Sequence, residues 1–402
     1  MMTGTFDLYS SVLVFAHSGI GDTVMLLPLL RALREADPCL TIACTAHPQT
    51  AQILEMADLH VEVVPWPKNW RKEPIALLRG LRDIKTYRPE ILIVPPGINP
   101  HLASWVARMS GSAERLAFLA EHGAFHFNVS SFHLKAFTHV FPRMDYAHKV
   151  DQFSCVLDFF GLPALIKKPT LRIEPDVIRL IRERLLAEAR LCLLSEEVIC
   201  THFGCEPVNR ARLWPLPRMV RALESVCKES GRRCLVLWGP NDVDLVHEAQ
   251  WLARNEDWFV PLPWKATLKE VAGLLGMTKI LVSNDCGIAH IAAAVGAKVV
   301  AIFGPTDPRF HGPYGRQSTV LYRKVSCGPC YPREHYFRCP YGRECLSGIS
   351  ENSVVDATVR LLNDDFPAGE HEISNGVFWA SSPLTRPATL SSRTSPDYED
   401  KA

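Results

Sequence analysis

Residues 282–315 read VSNDCGIAHIAAAVGAKVVAIFGPTDPRFHGPYG, and the fold is decided here. A buried strand (Lys279–Ser283) runs into Asn284-Asp285-Cys286-Gly287. A small-residue helix follows with His290 one turn in, and a second strand (Val299–Phe303) ends in Gly304-Pro305-Thr306-Asp307-Pro308. Strand, helix and strand in so short a span make a βαβ unit with parallel strands. The unit aims a helix N-terminus out of the carboxyl edge of its sheet, where unpaired N–H groups and the positive dipole end attract anions. Open α/β sheets bind their ligands at that edge. Asp285 suits ligand hydroxyls as an acceptor, and Gly287 admits a ligand close to the backbone. The plainer reading makes Asp285 a helix cap and Gly287 a packing residue.

The same rhythm runs outward in both directions. Strand candidates in the first half are Ser11–Ala16, Thr41–Thr45, Val61–Pro65 and Glu90–Pro95, with amphipathic segments Thr23–Ala36 and Pro74–Lys85 between them. Val198–Phe203, Arg233–Gly239, Trp258–Leu262, Ile280–Asn284 and Val299–Phe303 repeat the scheme in the second half. Alternating strands and helices imply parallel sheets, so the expectation is an α/β protein of two Rossmann-like domains facing a central cleft. The first spans 1–170 and the second 171–363, divided near Gly161–Pro175, where GLPALIKKPTLRIEP carries three prolines and two adjacent lysines. A last helix over Ile349–Asn363 starts at Ser350 or Asn352. Residues 364–402 turn to Ser, Thr and Pro with scattered charge, a composition that cannot bury enough apolar surface to fold alone. They are expected to be disordered.

Composition narrows the function classes. At 402 residues the chain suits two domains and a tail. Its apolar content is 47%, and a net charge of +1 argues against nucleic acid as a partner. No apolar run reaches the ~18–20 residues of a membrane span. The N-terminus lacks a basic region ahead of its short apolar run, unlike a signal peptide. The 13 cysteines are an odd number, and several, such as Cys44, Cys200 and Cys234, sit in or beside strands. That pattern fits free thiols in a reducing cytoplasm.

The first strand opens into His17-Ser18-Gly19-Ile20-Gly21-Asp22-Thr23. Gly19-x-Gly21 invites a dinucleotide-binding reading, but the third glycine of that fingerprint falls on Val24, so an NAD enzyme is disfavoured. A carboxylate presented on a glycine loop at the mouth of a cleft suits a general base instead. The structural alternative is that Asp22 caps its helix. Pro28 lies inside the helical pattern and should kink or distort it.

Taken together, GIGDTVMLLPLLRALREADP and the 282–315 string closely resemble the acceptor-side and donor-side motifs of glycosyltransferase family 9, the ADP-heptose:lipopolysaccharide heptosyltransferases. The resemblance runs from about Ser11 to Asn363. It implies a GT-B fold and inverting transfer of a sugar, a heptose from ADP-heptose above all, onto a lipopolysaccharide core or related glycolipid. Another nucleotide sugar, a non-catalytic carbohydrate-binding relative, and a nucleotide-sugar epimerase or hydrolase are the rival readings. By the same resemblance Asp22 is the catalytic base, and Gly19 and Gly21 let the acceptor reach it. The family's Lys before Trp-Pro becomes Arg212, which would neutralise the departing diphosphate, with Arg210 a competitor because the loop is about one residue longer. The donor would meet Gly204, Asn241 or Asp242, Ala266, Asp285, Cys286 (commonly Thr or Ser in the family), Gly287 and His290. Trp214-Pro215 reads as structural. No cofactor is implied, and no DxD pair stands in the donor motif to hold a metal.

Two features stand apart. Cys327, Cys330, Cys339 and Cys345 have the ligand types of a structural zinc or iron–sulfur site, but the second pair's x5 spacing weakens the zinc reading. Reversible disulfides or a packed loop are the alternatives. Trp66 to Arg88 carries Lys68, Arg71, Lys72, Arg79, Arg82, Lys85 and Arg88 against Glu73 and Asp83 alone, with Trp66 and Trp70 at its start. It reads either as a solvated helix face or as a surface for phosphorylated lipid. The second reading places a cytoplasmic enzyme on the inner face of the membrane, where its glycolipid acceptor lies.

Overall fold

The computed structural model describes residues 9–16, 19–118, 131–142, 148–163, 168–192, 197–315, 317–331, 334–364, 371–373 and 377–379. The first six strands are β1 (Ser11–Val14), β2 (Thr41–Ala46), β3 (Glu62–Pro65), β4 (Ile91–Val94), β5 (Glu114–Phe118) and β6 (His139–Phe141). They form one parallel sheet in the order β3-β2-β1-β4-β5-β6. The second parallel sheet holds β7 (Ile199–His202), β8 (Cys234–Leu237), β9 (Phe259–Pro261), β10 (Ile280–Asn284), β11 (Lys298–Phe303) and β12 (Ser318–Tyr322), in the order β12-β11-β10-β7-β8-β9. Both orders are the doubly wound one, with the reversal between β1 and β4 and between β7 and β10.

The central strands are apolar end to end because helices cover both faces. Val12, Leu13 and Val14 of β1 and Ile280, Leu281 and Val282 of β10 have no exposed surface. All nine expected strands are present, trimmed by a residue or two at most ends. β5, β6 and β12 were not expected. They lie at or next to sheet edges, where ERLAF, HVF and STVLY need no long apolar run. The change from one sheet to the other falls between Phe141 and Ile199. The final helix is Glu351–Leu362, and Ser350 caps it by accepting the Ser353 N–H at 3.1 Å. The tail beyond 364 lies mostly outside the described residues. Among the described residues of the tail, His371–Ile373 and Val377–Trp379 pair antiparallel.

The two halves meet helix against helix. Ile20–Ala36 packs on Gly287–Val295, and Met25, Leu29, Ile288, Ile291 and Ala292 belong to one continuous buried core. Contact at their N-termini depends on glycine. A Cβ on Gly21 would stand 2.7 Å from the His290 ring, and one on Gly287 would stand 2.7 Å from Ile20 Cβ. The helix Ile20–Ala36 runs unbroken through Pro28, which is buried in that core rather than ending the element.

His148 supplies a second tie. The Val150 N–H donates to its Nδ1 at 3.1 Å, so Nε2 carries the ring proton and donates to the Gly312 carbonyl at 2.9 Å. Beside it Tyr314 donates its hydroxyl to Asp151 at 2.6 Å. These contacts lock the short helix Lys149–Gln152 of the first half to the loop after β11.

Two outcomes follow from this junction. Gly287→Ala should lower the urea midpoint by an amount equivalent to about 1–3 kcal/mol, the cost of overpacking a tight contact; an unchanged midpoint would show that the helices separate freely. The second concerns acid. Burial, partly offset by the Gly312 bond, pushes the His148 imidazole down to about 3, against ~6.5 in an unfolded chain. Between those values the unfolded chain binds a proton that the native protein refuses. The stabilisation is therefore complete above about pH 6.5 and is lost as pH falls toward 3. The decline in the urea midpoint from pH 6.5 to 4 should be shallower in His148→Gln than in the wild-type protein.

Candidate functional site

Asp22 lies in the first turn of Ile20–Ala36, at the carboxyl edge of β1. The helix cap is Gly19, with no side-chain cap bond, so Asp22 is not spent on capping. A Cβ on Gly19 would meet Asp22 Oδ2 at 2.7 Å, which makes this glycine the floor under the carboxylate. Gly21 was expected to open a path for the acceptor. Instead His290 covers it, because the helix from the other sheet needs that space. Residues 17 and 18 fall outside the described residues.

Asp22 has a partner that no motif in the amino-acid order announces. Lys149 Nζ stands 3.2 Å from Asp22 Oδ1, with 9% of the lysine side chain exposed against 31% of the aspartate's. An ammonium so far buried favours the ionised carboxylate. Both groups line a hollow of about 270 Å³, counting the part open to solvent, with Met25, Leu26, Pro95, Pro96 and Phe153. Lys149 is 127 residues from Asp22 and carries no motif of its own; only the tertiary fold pairs them.

The donor-side residues gather at the other reversal point, between β7 and β10. Arg212 Nη1 stands 3.2 Å from Asp285 Oδ2, and the guanidinium stacks on the Tyr331 ring at 4.1 Å. Burial opposes the charge on Arg212, but Asp285, Tyr331 and Tyr336 outweigh it and raise the pKa above its ordinary value. Arg212 Nε and Asp285 Oδ2 are buried and make no hydrogen bond, since the ion contact lacks hydrogen-bond geometry. Arg210, the competitor, is exposed in the same turn. Asn284 braces the corner: its Oδ1 accepts the Trp214 N–H at 2.8 Å and its Nδ2 donates to Phe203 O at 2.9 Å. Trp214 is 1% exposed and structural, as expected.

Asp242 is the residue most changed from expectation. It is 6% exposed. Its Oδ2 accepts the Gly239 N–H at 2.9 Å and lies 3.3 Å from His202 Nε2. A Cβ on Gly204 would stand 1.8 Å from Asp242 Oδ1. Gly204 and Asp242 are therefore fitted to each other, which leaves the exposed Asn241 as the member of the pair open to a ligand. Gly287 is likewise filled by Ile20 rather than left free for a ligand. Ala266 is half-buried beside Trp264, on the loop after β9. His290 is buried between the two halves, and burial lowers its pKa to about 4 although Asp285 and Asp22 both pull upward. It is a neutral donor or acceptor there, not a cation.

Cys327, Cys330, Cys339 and Cys345 are brought into one neighbourhood, and no disulfide joins them. Burial, with the other three nearby, pushes Cys345 up to about 11. Among the described residues no group of three or more His, Cys, Asp or Glu stands arranged to hold a metal ion.

Comparison with known proteins places this geometry. Residues 103–340, more than half the chain, match the family model for glycosyltransferase family 9 (heptosyltransferase). The match contains Arg212, Asp285, Cys286, Gly287 and His290 but not Asp22. Lipopolysaccharide heptosyltransferase 1 of Pseudomonas aeruginosa is 36% identical over 111 residues, 21% of this chain and 31% of that protein. Lipopolysaccharide heptosyltransferase 2 of Salmonella typhimurium is 23% identical over 373 residues, 88% of this chain and 99% of that protein. The solved structure of E. coli ADP-heptose lps heptosyltransferase II superposes with a TM-score of 0.67 at 19% identity, over 88% of this chain and 99% of that one. At that identity the superposition speaks for the fold, two facing doubly wound halves in the GT-B arrangement. With the family model and the fold in agreement, the chain belongs to glycosyltransferase family 9.

Proposed function

We propose that this protein is an inverting heptosyltransferase that takes its sugar from ADP-heptose and adds it to a lipopolysaccharide core acceptor. One observation carries the reading: the N-termini of two helices from opposite sheets meet, so that Asp22 and Asp285 flank the same buried histidine, His290. A base on the acceptor side and an anion cradle on the donor side thereby face one reaction centre. Asp22, held ionised by Lys149, takes the proton of the acceptor hydroxyl. The hydroxyl oxygen then attacks the anomeric carbon from the face opposite the diphosphate. As the carbon–oxygen bond to the diphosphate breaks, charge grows on the phosphate oxygens. Arg212 and the N–H groups at the start of Gly287–Val295 stabilise it. Asp285 holds Arg212 in place and leaves its other N–H groups for the phosphate. No step needs a metal ion or other cofactor.

The acceptor surface fits the helix Pro74–Tyr87 and its neighbour Pro100–Ser110, and would seat the enzyme on the inner face of the cytoplasmic membrane. No described helix is long and apolar enough to cross a membrane. Ile75 and Leu78 on the first helix are 67% and 65% exposed, and Trp105 on the second is 54% exposed. Exposed Arg71, Lys72, Arg79, Arg82 and Lys85 surround them. Apolar side chains ringed by cations suit a phosphorylated lipid surface. Trp66 and Lys68 do not belong to this face. Trp66 is buried edge-on against Phe15, with ring centroids 4.8 Å apart, and Lys68 pairs with Glu206 at 3.1 Å.

Asp22→Asn should lower turnover by about 10²–10⁴-fold, the usual worth of a general base, while ADP-heptose binding measured by calorimetry stays near the wild-type value. Wild-type turnover in that variant would remove Asp22 from the role, and transfer abolished by EDTA and restored by a divalent cation would overturn the metal-free route. Reversing Arg71, Lys72 and Arg79 to glutamate should raise the apparent KM for lipid acceptor and leave donor affinity alone. Each cation near an anionic surface is worth about 1 kcal/mol and is screened by salt. Added salt should thus weaken acceptor use more in the wild type than in the reversed variant; equal salt sensitivity with unchanged KM would return the face to solvent.

A further inference from the structure

The donor-side reversal point holds a second constellation that the transfer reaction does not use. Cys286 Sγ lies 3.7 Å from His202 Nδ1, and His202 Nε2 lies 3.3 Å from Asp242 Oδ2. Thiol, imidazole and carboxylate stand in a row: His202 ends β7, and Cys286 and Asp242 are the N-cap residues of the helices that follow β10 and β8. The row is rigid. His202 is 8% exposed and paired in register with Ser283, and Asp242 is fixed by the Gly239 N–H and by the missing Cβ of Gly204. Only the sulfur end is open: Cys286 is half-buried, while Asp242 and His202 are sealed behind it.

Chemistry follows from that order. Burial works against charge on His202, yet its contacts with Asp242 and Cys286 prevail and raise the imidazole to about 10. Nδ1 faces the sulfur and Nε2 faces the carboxylate, so a proton passed from the thiol to the ring gives an imidazolium that Asp242 stabilises through Nε2. This is the arrangement of nucleophile, base and orienting carboxylate that activates a sulfur. Cys286 is also the N-cap of the nine-residue helix Gly287–Val295, where no side-chain cap bond ties up the sulfur. Unpaired N–H groups there favour developing negative charge.

We infer that Cys286 is a reactive thiol activated by His202 and Asp242, and that its attack on a hydroperoxide closes the donor site. The thiol passes its proton to His202, and the sulfur displaces on the nearer peroxide oxygen. The S–O bond forms and the O–O bond breaks; sulfur is oxidised by two electrons and the peroxide is reduced, leaving with the imidazolium proton as water or alcohol. The sulfenic acid then occupies the start of the helix, where the donor diphosphate would sit. This blocking consequence rests on the donor-site reading above; the reactivity does not.

Site-resolved alkylation of the full chain separates the two. With iodoacetamide at pH 7, followed by peptide mass spectrometry, Cys286 should react at least tenfold faster than Cys39, which is exposed and serves as the internal reference. His202→Gln and Asp242→Asn should each remove most of that advantage, with circular dichroism checking that the variants are folded. The isosteric Asp242→Asn is the safer of the two. Hydrogen peroxide followed by dimedone should mark Cys286 first. ADP should slow labelling of Cys286 and leave Cys39 unaffected. A Cys286 no faster than Cys39, or one equally fast in both folded variants, overturns the activated thiol. Fast labelling that ADP does not slow keeps the thiol and overturns its place in the donor site.

Discussion

The close approach of two helix N-termini organises the molecule. Each sheet alone would present its ligand edge to solvent. Gly21 and Gly287 remove the two Cβ atoms that would hold the helices Ile20–Ala36 and Gly287–Val295 apart, and His290 and Ile20 fill the space. Burial of the apolar faces behind this contact supplies the driving force, and the shared core runs through it without interruption. The result is positional: a carboxylate on one sheet and an anion-binding helix end on the other are brought to a single point, with a neutral histidine between them.

Charge in this centre is balanced pair by pair. Asp22 is matched by Lys149 and Asp285 by Arg212, and in each pair at least one partner is almost wholly buried. Removing one member of such a pair strands the other away from water, a change that commonly costs about 3–5 kcal/mol. The pairs therefore impose a constraint as well as a chemistry. Each cation is positioned by its carboxylate, and each carboxylate by its cation. Arg212 Nε and Asp285 Oδ2 are both buried without a hydrogen-bond partner, so their ion contact is what holds them to each other.

Rigidity and exposure are divided between regions. Around β7, β8 and β10, Asn284, Trp214, Asp242 and Gly204 fit with little room for substitution. The helices Pro74–Tyr87 and Pro100–Ser110 instead show apolar side chains to the outside among cations. A face of that kind is costly in water unless something covers it part of the time, and it lies on the half that bears Asp22.

Much of this was legible in the amino-acid order, because repeating apolar runs separated by amphipathic segments can bury themselves in few ways. The two-sheet plan, nine of its twelve strands, the helix start at Asp285–Gly287 and the placing of Asp22 and Arg212 at the strand ends that face the cleft all follow from local pattern and motif. Edge strands such as HVF were not legible, since an edge needs little apolar sequence. Nor were the roles of particular atoms. Gly21 and Gly287 announced a close approach, but only the tertiary structure decided that the approaching group is the opposite helix. Asp242 stood beside Asn241 as an alternative donor contact until the fold set it against Gly204 and His202. Lys149, 127 residues from Asp22 and without a motif, becomes its counter-ion only because His148 and Asp151 tie the intervening helix to the second half. Local sequence determines which elements form and which edge of each sheet binds. Contacts between distant elements decide which side chain meets which, because those distances are set by the packing of the whole core.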